Sequence, residues 1–406
     1  MPELAYRAVT PDEPIELIAR LPALAFGVEN DKSAEWFEQR VGRENVRVAV
    51  RGEDILGCVG RVPMGLYLGG REVAQLGVLG VAVAPEARGM GVARRMMADC
   101  VREMHADGYP LSALYSAMHP LYRSAGYETA GLLLDATIPA GMIEPVGPRM
   151  GDDSGWREVT EADLPAIGAC YAAYARPIHG MLARTEYIWR RIRESRYGLT
   201  RGFLSEDPAG VVDAYCFYVQ AAWSETDRRL GTSAGSEMKI TDAAWSSPRG
   251  FANLLGFLRG FASMVGEIRV TVPPGSPLLL ALPDRRYGLR VRDSWMLRVL
   301  DVSAALEQRG YPAGLTAELT LEIEDDLIEA NSGRWLLRVR DGSCEVTRGG
   351  RDEALRCGVR EFAAIYTGHA KPAALRGVGR VACDDRTAEV AGTVFGGSQP
   401  AMVDMF

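Results

Sequence analysis

The chain has 406 residues, of which 47% are apolar and 24% charged, and a formal net charge of −7 at pH 7. Such a length and composition support several domains with cores of their own and exclude a disordered or fibrous chain. The acidic balance argues against nucleic-acid binding, which favours a basic stripe, and leans toward cationic partners such as amines.

Seven cysteines are widely spaced, odd in number and form no C-x-x-C. They predict small buried thiols rather than a disulfide framework or a metal site. The first residues lack a basic region followed by an apolar run, and no apolar run reaches about 18 residues. Neither a signal peptide nor a membrane partner is expected, and the expected compartment is the cytoplasm.

Helical patterns over 13–24 and 34–40 precede strand patterns over 46–51, 55–68 and 73–83, with turns at 51–54 and 69–70. The last strand runs into Val81-Ala82-Val83-Ala84-Pro85-Glu86-Ala87-Arg88-Gly89-Met90-Gly91-Val92-Ala93-Arg94. A helix follows over 91–105, with Val92, Met96, Met97, Cys100 and Met104 on its apolar side. Strand, two-glycine turn and helix together suit a pyrophosphate. Glycine lets the backbone approach closely, the free amides of a helix start point at the phosphates, and the dipole favours negative charge. Arg88 and Arg94 can add charge-assisted hydrogen bonds. The spacing is neither the dinucleotide G-x-G-x-x-G nor a Walker loop.

A strand over 111–115, a short helix over 120–125 and a strand over 132–138 complete the first block, and 143–156 reads as a linker. The second block opens at Arg157-Glu158-Val159-Thr160, parallel to Arg7-Ala8-Val9-Thr10. Strands over 211–220 and 237–245, a helix over 248–264 and a strand over 267–272 repeat the first block's order. Residues 243–251 lack the glycine pair, so no coenzyme is expected there. Arg190, Arg191, Arg193 and Arg196 read as a solvated helix face. A third block opens near 297. It has a helix over 300–308, strands over 315–324, 334–340 and 343–347, and helices over 360–366 and 370–375. A last helix ends near 395, and a loose tail follows over 396–406.

The string V-x-V-x-P-x-x-R-G-x-G-x-A at 81–93 resembles the acetyl-CoA signature of the GNAT acetyltransferases. Leu121-Tyr122-Arg123-Ser124-Ala125-Gly126-Tyr127 resembles their F/L-Y-x-x-x-G-F/Y segment. The resemblance implies that Val81, Ala82, Val83, Arg88, Gly89, Met90, Gly91, Val92, Ala93 and Arg94 hold acetyl-CoA, and that Tyr122 is the acid. Tyr127 competes, though its place usually holds a packing aromatic. Ser116-Ala117-Met118 departs from the Ser-Glu or Ser-Thr often found before the tyrosine segment, so a coenzyme contact at Ser116 and Ala117 is altered.

Tandem GNAT blocks, the second degenerate, followed by a sterol-carrier-like block, resemble the enhanced intracellular survival (Eis) acetyltransferases. The string Trp295-Met296-Leu297-Arg298-Val299-Leu300-Asp301-Val302 and the terminal Met405-Phe406 fit that family. The implied fold is α+β, with a catalytic domain at 1–145, a degenerate one at 146–296 and a sterol-carrier-protein-like domain at 297–406. The implied function is acetyl transfer to amines of aminoglycosides or lysines by a homohexamer. The resemblance further implies that the Phe406 α-carboxylate enters the site as general base. A free α-carboxyl, with pKa about 3.5, is ionised but weakly basic unless burial raises it. His119, near Tyr122, is the alternative base. An acidic acceptor pocket is expected, with charge from Asp404 and from Glu29 or Asp31 and an apolar wall from Phe26 and Trp36. A non-catalytic protein that binds lipid or acyl-CoA, or senses acetyl-CoA, is the alternative function.

Overall fold

The computed structural model describes residues 3–144, 155–194, 197–220 and 236–406. Most of the expected linker, Arg196 of the basic cluster and the first two residues lie outside the described residues. The first unit contains strands β1 (Ala5–Ala8), β2 (Val46–Arg51), β3 (Asp54–Leu68), β4 (Arg71–Val83), β5 (Leu111–Tyr115) and β6 (Glu128–Pro139). Helices α1 (Ile15–Phe26), α2 (Asn30–Trp36), α3 (Val92–Ala106) and α4 (His119–Arg123) lie between them. The expected helix over 34–40 is α2 followed by one π-helical turn, Phe37–Val41. Its apolar Phe37 and Val41 are buried. In α3 the residues at helical spacing, Val92, Met96, Met97, Cys100 and Met104, are all buried, as their period requires.

The second unit contains β7 (Trp156–Glu158), α5 (Leu164–Ala175), β8 (Leu182–Ala183), α6 (Glu186–Arg193), β9 (Arg201–Glu206) and β10 (Val212–Gln220). It continues with β11 (Glu237–Trp245), α7 (Pro248–Arg259), β12 (Glu267–Val272) and β13 (Gly288–Val299). The strands of both units form one sheet, in the order β1-β2-β3-β4-β5-β13-β6-β12-β11-β10-β9-β7. Strand β13 therefore leaves its own unit and enters the first, between β5 and β6. Leu297 pairs with Ala113 on one side and Glu128 on the other. This long strand was not expected from the sequence. Its outer part, Gly288–Val291, is exposed, and only Trp295–Val299 carries a buried run.

The third unit is a four-stranded sheet, β16 (Ser343–Arg348), β15 (Gly333–Arg340), β14 (Thr316–Glu324) and β17 (Leu355–Gly358). Helices α8 (Val302–Gln308), α9 (Val359–Tyr366), α10 (Pro372–Gly377) and α11 (Asp385–Val394) accompany it. Phe362, Tyr366 and Phe395 fill its interior, with the Arg309 guanidinium 4.9 Å from the Tyr366 ring centre and 5.1 Å from that of Phe395. A buried ion pair, Arg298 to Asp325 at 2.7 Å, joins β13 to this unit.

Candidate active site

Strands β4 and β5 pair in parallel only over Gln75–Gly77 and Leu111–Ala113. Beyond that point they part, leaving a wedge between the end of β4 and the end of β5. Ser112 braces its root by donating to the Leu76 carbonyl at 2.8 Å. Along β4 the wedge is flanked by a bulge against β3: Cys58 faces Ala82 but Gly60 faces Leu79, so Gly80 and Val81 together oppose Val59. A bulge leaves ladder groups unpaired and re-aims the backbone. Val81 and Val83 are half-buried, and Ala82 is buried.

Beyond β4 the turn is open. Gly89 and Gly91 have φ of 78° and 79°, and a Cβ on either would meet nothing within 4 Å. Glycine is needed for that left-handed backbone, and the space in front of it suits a close ligand. The first intrahelical bond is Arg95 N–H to the Gly91 carbonyl, and no side chain caps the helix. The amides of Val92, Ala93 and Arg94 therefore remain orphan donors. Arg88, Met90 and Arg94 are exposed. At the mouth of β5 the Ser116 hydroxyl is buried with no hydrogen-bond partner among the described residues, while Ala117 is exposed. The residues present thus fit a diphosphate-bearing pantetheine ligand: open amides, two exposed guanidiniums and one unsatisfied hydroxyl.

The same turn in the second unit is closed. The Ser247 side chain caps α7 by accepting from Gly250 N–H at 3.0 Å, and a Cβ on Gly250 would lie 2.0 Å from the Asp213 carbonyl. The Gly250 amide is already used, and β10 backbone fills the space.

Two tyrosines stand near the wedge, and the geometry separates them. Tyr127 is fully buried, with its hydroxyl 2.8 Å from Ser112 Oγ at the root of the wedge. Tyr122, on α4, is buried over its ring, while its hydroxyl has no hydrogen-bond partner among the described residues. Burial pushes the Tyr122 phenol up to about 12, so it is neutral at physiological pH. His119 begins the same helix and is half-buried.

The tail is not loose, contrary to expectation. Ser398 Oγ accepts from His179 N–H at 2.8 Å, and Ala401 N–H donates to the His179 carbonyl at 2.8 Å. Tyr115 OH donates to the Met402 carbonyl at 2.7 Å. Phe406 then reaches the wedge: its ring is 5.8 Å edge-on from Tyr115, and a Cβ on Gly77 would lie 2.9 Å from it. Gly77 is therefore required by the ring's close approach.

Asp404 lines the cavity beside the wedge, but as a tail anchor rather than a free pocket charge. It is buried, and Arg184 donates to both its oxygens at 2.8 and 2.9 Å. Arg184 also holds Asp242 through two bonds of 2.7 Å and lies 3.6 Å over the Tyr171 ring. Both oxygens of Asp404 are thus committed to Arg184, which it shares with Asp242. Phe26 and Glu29 are also corrected. Phe26 is 55% exposed at the end of α1, and Glu29 pairs with Lys32 in solvent. Neither lines the cavity beside the wedge. Trp36 does line it, and packs against Gly80 of the bulge.

His179 is one of four histidines the sequence offers as a base, and the structure places it against the tail. Burial lowers its pKa to about 4, and its Nδ1 is 3.2 Å from the Thr367 carbonyl. Because the folded state resists protonation more than the unfolded one, stability is complete above about pH 6.5. It falls as pH drops toward about 4, by about 3 kcal/mol. Denaturant midpoints measured across that range are expected to fall in the native protein and to lose this step in His179→Gln.

Comparison with known proteins agrees with this geometry. Residues 5–130 and 180–299 each match an acetyltransferase (GNAT) domain model, and residues 302–403 match a sterol carrier protein domain. A protein named as an uncharacterised N-acetyltransferase of Streptomyces coelicolor is 31% identical over 327 residues, 77% of this chain and 76% of its own. The N-acetyltransferase Eis of Mycobacterium tuberculosis is 26% identical over 303 residues, 73% of this chain and 71% of the relative. The crystal structure of a GCN5-related N-acetyltransferase from Anabaena variabilis is 29% identical and superposes with a TM-score of 0.90, each chain covered completely. The chain has two GNAT units, the second without a phosphate turn, and a sterol-carrier unit, and it belongs to the Eis-like GNAT N-acetyltransferases.

Proposed function

We propose that this acyltransferase moves an acetyl group from acetyl-CoA directly to a primary amine, each held on one side of the wedge. The observation that carries this is the parting of β4 from β5 between an open phosphate turn and the Phe406 ring. Bound acetyl-CoA supplies the electrophilic thioester and a thiolate leaving group. Gly89, Met90 and Gly91, the amides of Val92, Ala93 and Arg94, and the Arg88 and Arg94 guanidiniums bind the pyrophosphate. The Val81–Val83 backbone orients the pantetheine arm, and the bulge directs an amide at the thioester carbonyl. Ser116 Oγ gains a partner from the ligand, and Ala117 lies beside it. The neutral Tyr122 hydroxyl gives its proton to the departing sulfur. The Phe406 α-carboxylate, directly or through a water, takes the proton from the amine.

The acceptor is a primary amine; the family resemblance brings aminoglycosides and lysine side chains as its two classes. The proposed assembly is a homohexamer, for which light scattering is expected to give six chain masses. The proposed compartment is the cytoplasm, supported by seven unpaired cysteines. Among the described residues, no helix is long and apolar enough to cross a membrane.

Acetyl-CoA-dependent thiol release in the presence of an amine tests the proposal. Tyr122→Phe is expected to lower kcat by about 10²-fold, with acetyl-CoA affinity kept. Unchanged kcat in that variant removes Tyr122 from the proton path.

A further inference from the structure

The cavity beside the wedge has a volume of about 300 Å³. Its apolar wall is Trp36, Ile188, Ile192 and Ile240, and the tail closes one side with Val403, Asp404 and Met405. Trp36 touches the bulge at Gly80, and Met405 precedes the Phe406 ring at Gly77. The cavity therefore adjoins the wedge through Trp36 at the bulge and through the residue before Phe406.

Its charge is the reverse of that expected from the sequence. Four basic side chains line it, Arg40, Arg191, Lys239 and Arg292, against two acids, Glu194 and Asp404. Both acids are already engaged: Glu194 pairs with Arg40 and Arg190, and Asp404 with Arg184. Arg292 reaches Asp135 at 3.6 Å and donates to Tyr197 OH at 3.2 Å. Arg191 and Lys239 have no carboxylate within ion-pair distance among the described residues. Lys239 rests 3.1 Å over the Tyr197 ring, and Arg191 lies 5.9 Å from the centre of Tyr187. Thr241 lines the same cavity, and its hydroxyl is buried and without a hydrogen-bond partner among the described residues. Two cations and a hydroxyl thus share one cavity in a chain whose net charge is −7.

We infer that the acceptor is a small primary amine that also carries an anionic group, a carboxylate or a phosphate, held by Lys239, Arg191 and Thr241. The inference rests on the acetyl-transfer reading above and names its substrate class. An anion there gains charge-assisted hydrogen bonds in a partly desolvated site. A second ammonium would meet two cations in the same place, a repulsion that, of the two acceptor classes named above, disfavours the polycationic aminoglycosides. The cavity is at the small end of ligand sites, which limits the acceptor's size.

Calorimetric titration in the presence of coenzyme A compares 6-aminohexanoate, 6-aminohexyl phosphate, hexylamine and 1,6-diaminohexane. Either anionic amine is expected to bind roughly tenfold more tightly than hexylamine, and the diamine more weakly than hexylamine. The better of the two anions distinguishes carboxylate from phosphate recognition. In Lys239→Glu the ratio of anionic-amine to diamine affinity is expected to fall by at least about tenfold. A ratio is insensitive to partial loss of folded protein. Tighter binding of the diamine in the native protein, or an unchanged ratio in Lys239→Glu, overturns the inference. Thiol release measured on the same four amines tests the acetyl-transfer reading separately, because binding preference is read without turnover.

Discussion

Extending the chain by three or four residues past Phe406 is expected to lower kcat by about 10² to 10⁴, the usual worth of a positioned general base. The extension turns the α-carboxylate into an amide and pushes new backbone into the wedge. Acetyl-CoA affinity, measured by calorimetry, is expected to stay within about twofold, because the phosphate turn lies beyond the end of β4, well along the chain from Gly77 where Phe406 packs. Deletion of Phe406 is a second form of the test. It leaves a carboxylate on Met405 but removes the ring that packs at Gly77 and Tyr115 and shifts the terminus by one residue, and a similar loss is expected. Undiminished turnover in the extended protein removes Phe406 from the mechanism. His119→Ala would then be the variant expected to fail.

Replacing Arg184 by Met is expected to destabilise the protein by about 3–5 kcal/mol, read as a shift in denaturant midpoint. The arginine pairs with two carboxylates, Asp242 and Asp404, and is almost fully buried itself. Its removal leaves both acids without a counter-charge in a low-dielectric interior, which costs far more than the pair's own net attraction. The effect has a functional component. Asp404 is two residues from Phe406, so the tail's last anchor is lost with the arginine. Turnover is expected to fall in Arg184→Met even at temperatures where the protein remains folded. Asp404→Asn, which keeps a hydrogen-bonding partner for Arg184, is expected to be milder in both respects. Equal stability of Arg184→Met and the native chain would contradict the anchoring role.

The coenzyme side of the site was legible because it is local. Residues 81–94 contain strand, turn and helix start in one string, and glycine at 89 and 91 is demanded by backbone geometry that the sequence states directly. Three of the third unit's four strands were legible for the same reason, since each is a short alternating run between turn residues; the four-residue β17 was not. The acceptor side was not legible, because it is assembled from distant segments. Arg184 and Asp404 are 220 residues apart, and nothing local marks them as partners. A carboxylate beside the terminus reads equally well as a pocket charge or as half of a buried pair. The cavity's basic character comes from Arg191, Lys239 and Arg292, which lie on three elements of the second unit. Arg191 sits in a run of arginines on α6 that looks like an ordinary solvated face. The crossing of β13 into the first unit was hidden for a different reason. Periodicity reports which residues face a core, not which neighbours a strand takes.

Co-measurement of free coenzyme A thiol and N-acetylated product, with native protein, acetyl-CoA and 6-aminohexanoate, tests direct transfer most simply. The expected result is one thiol released per amine acetylated, with no acetyl group retained on the protein by mass spectrometry. An acetylated protein that forms before product, or thiol release that no added amine accelerates, would contradict it.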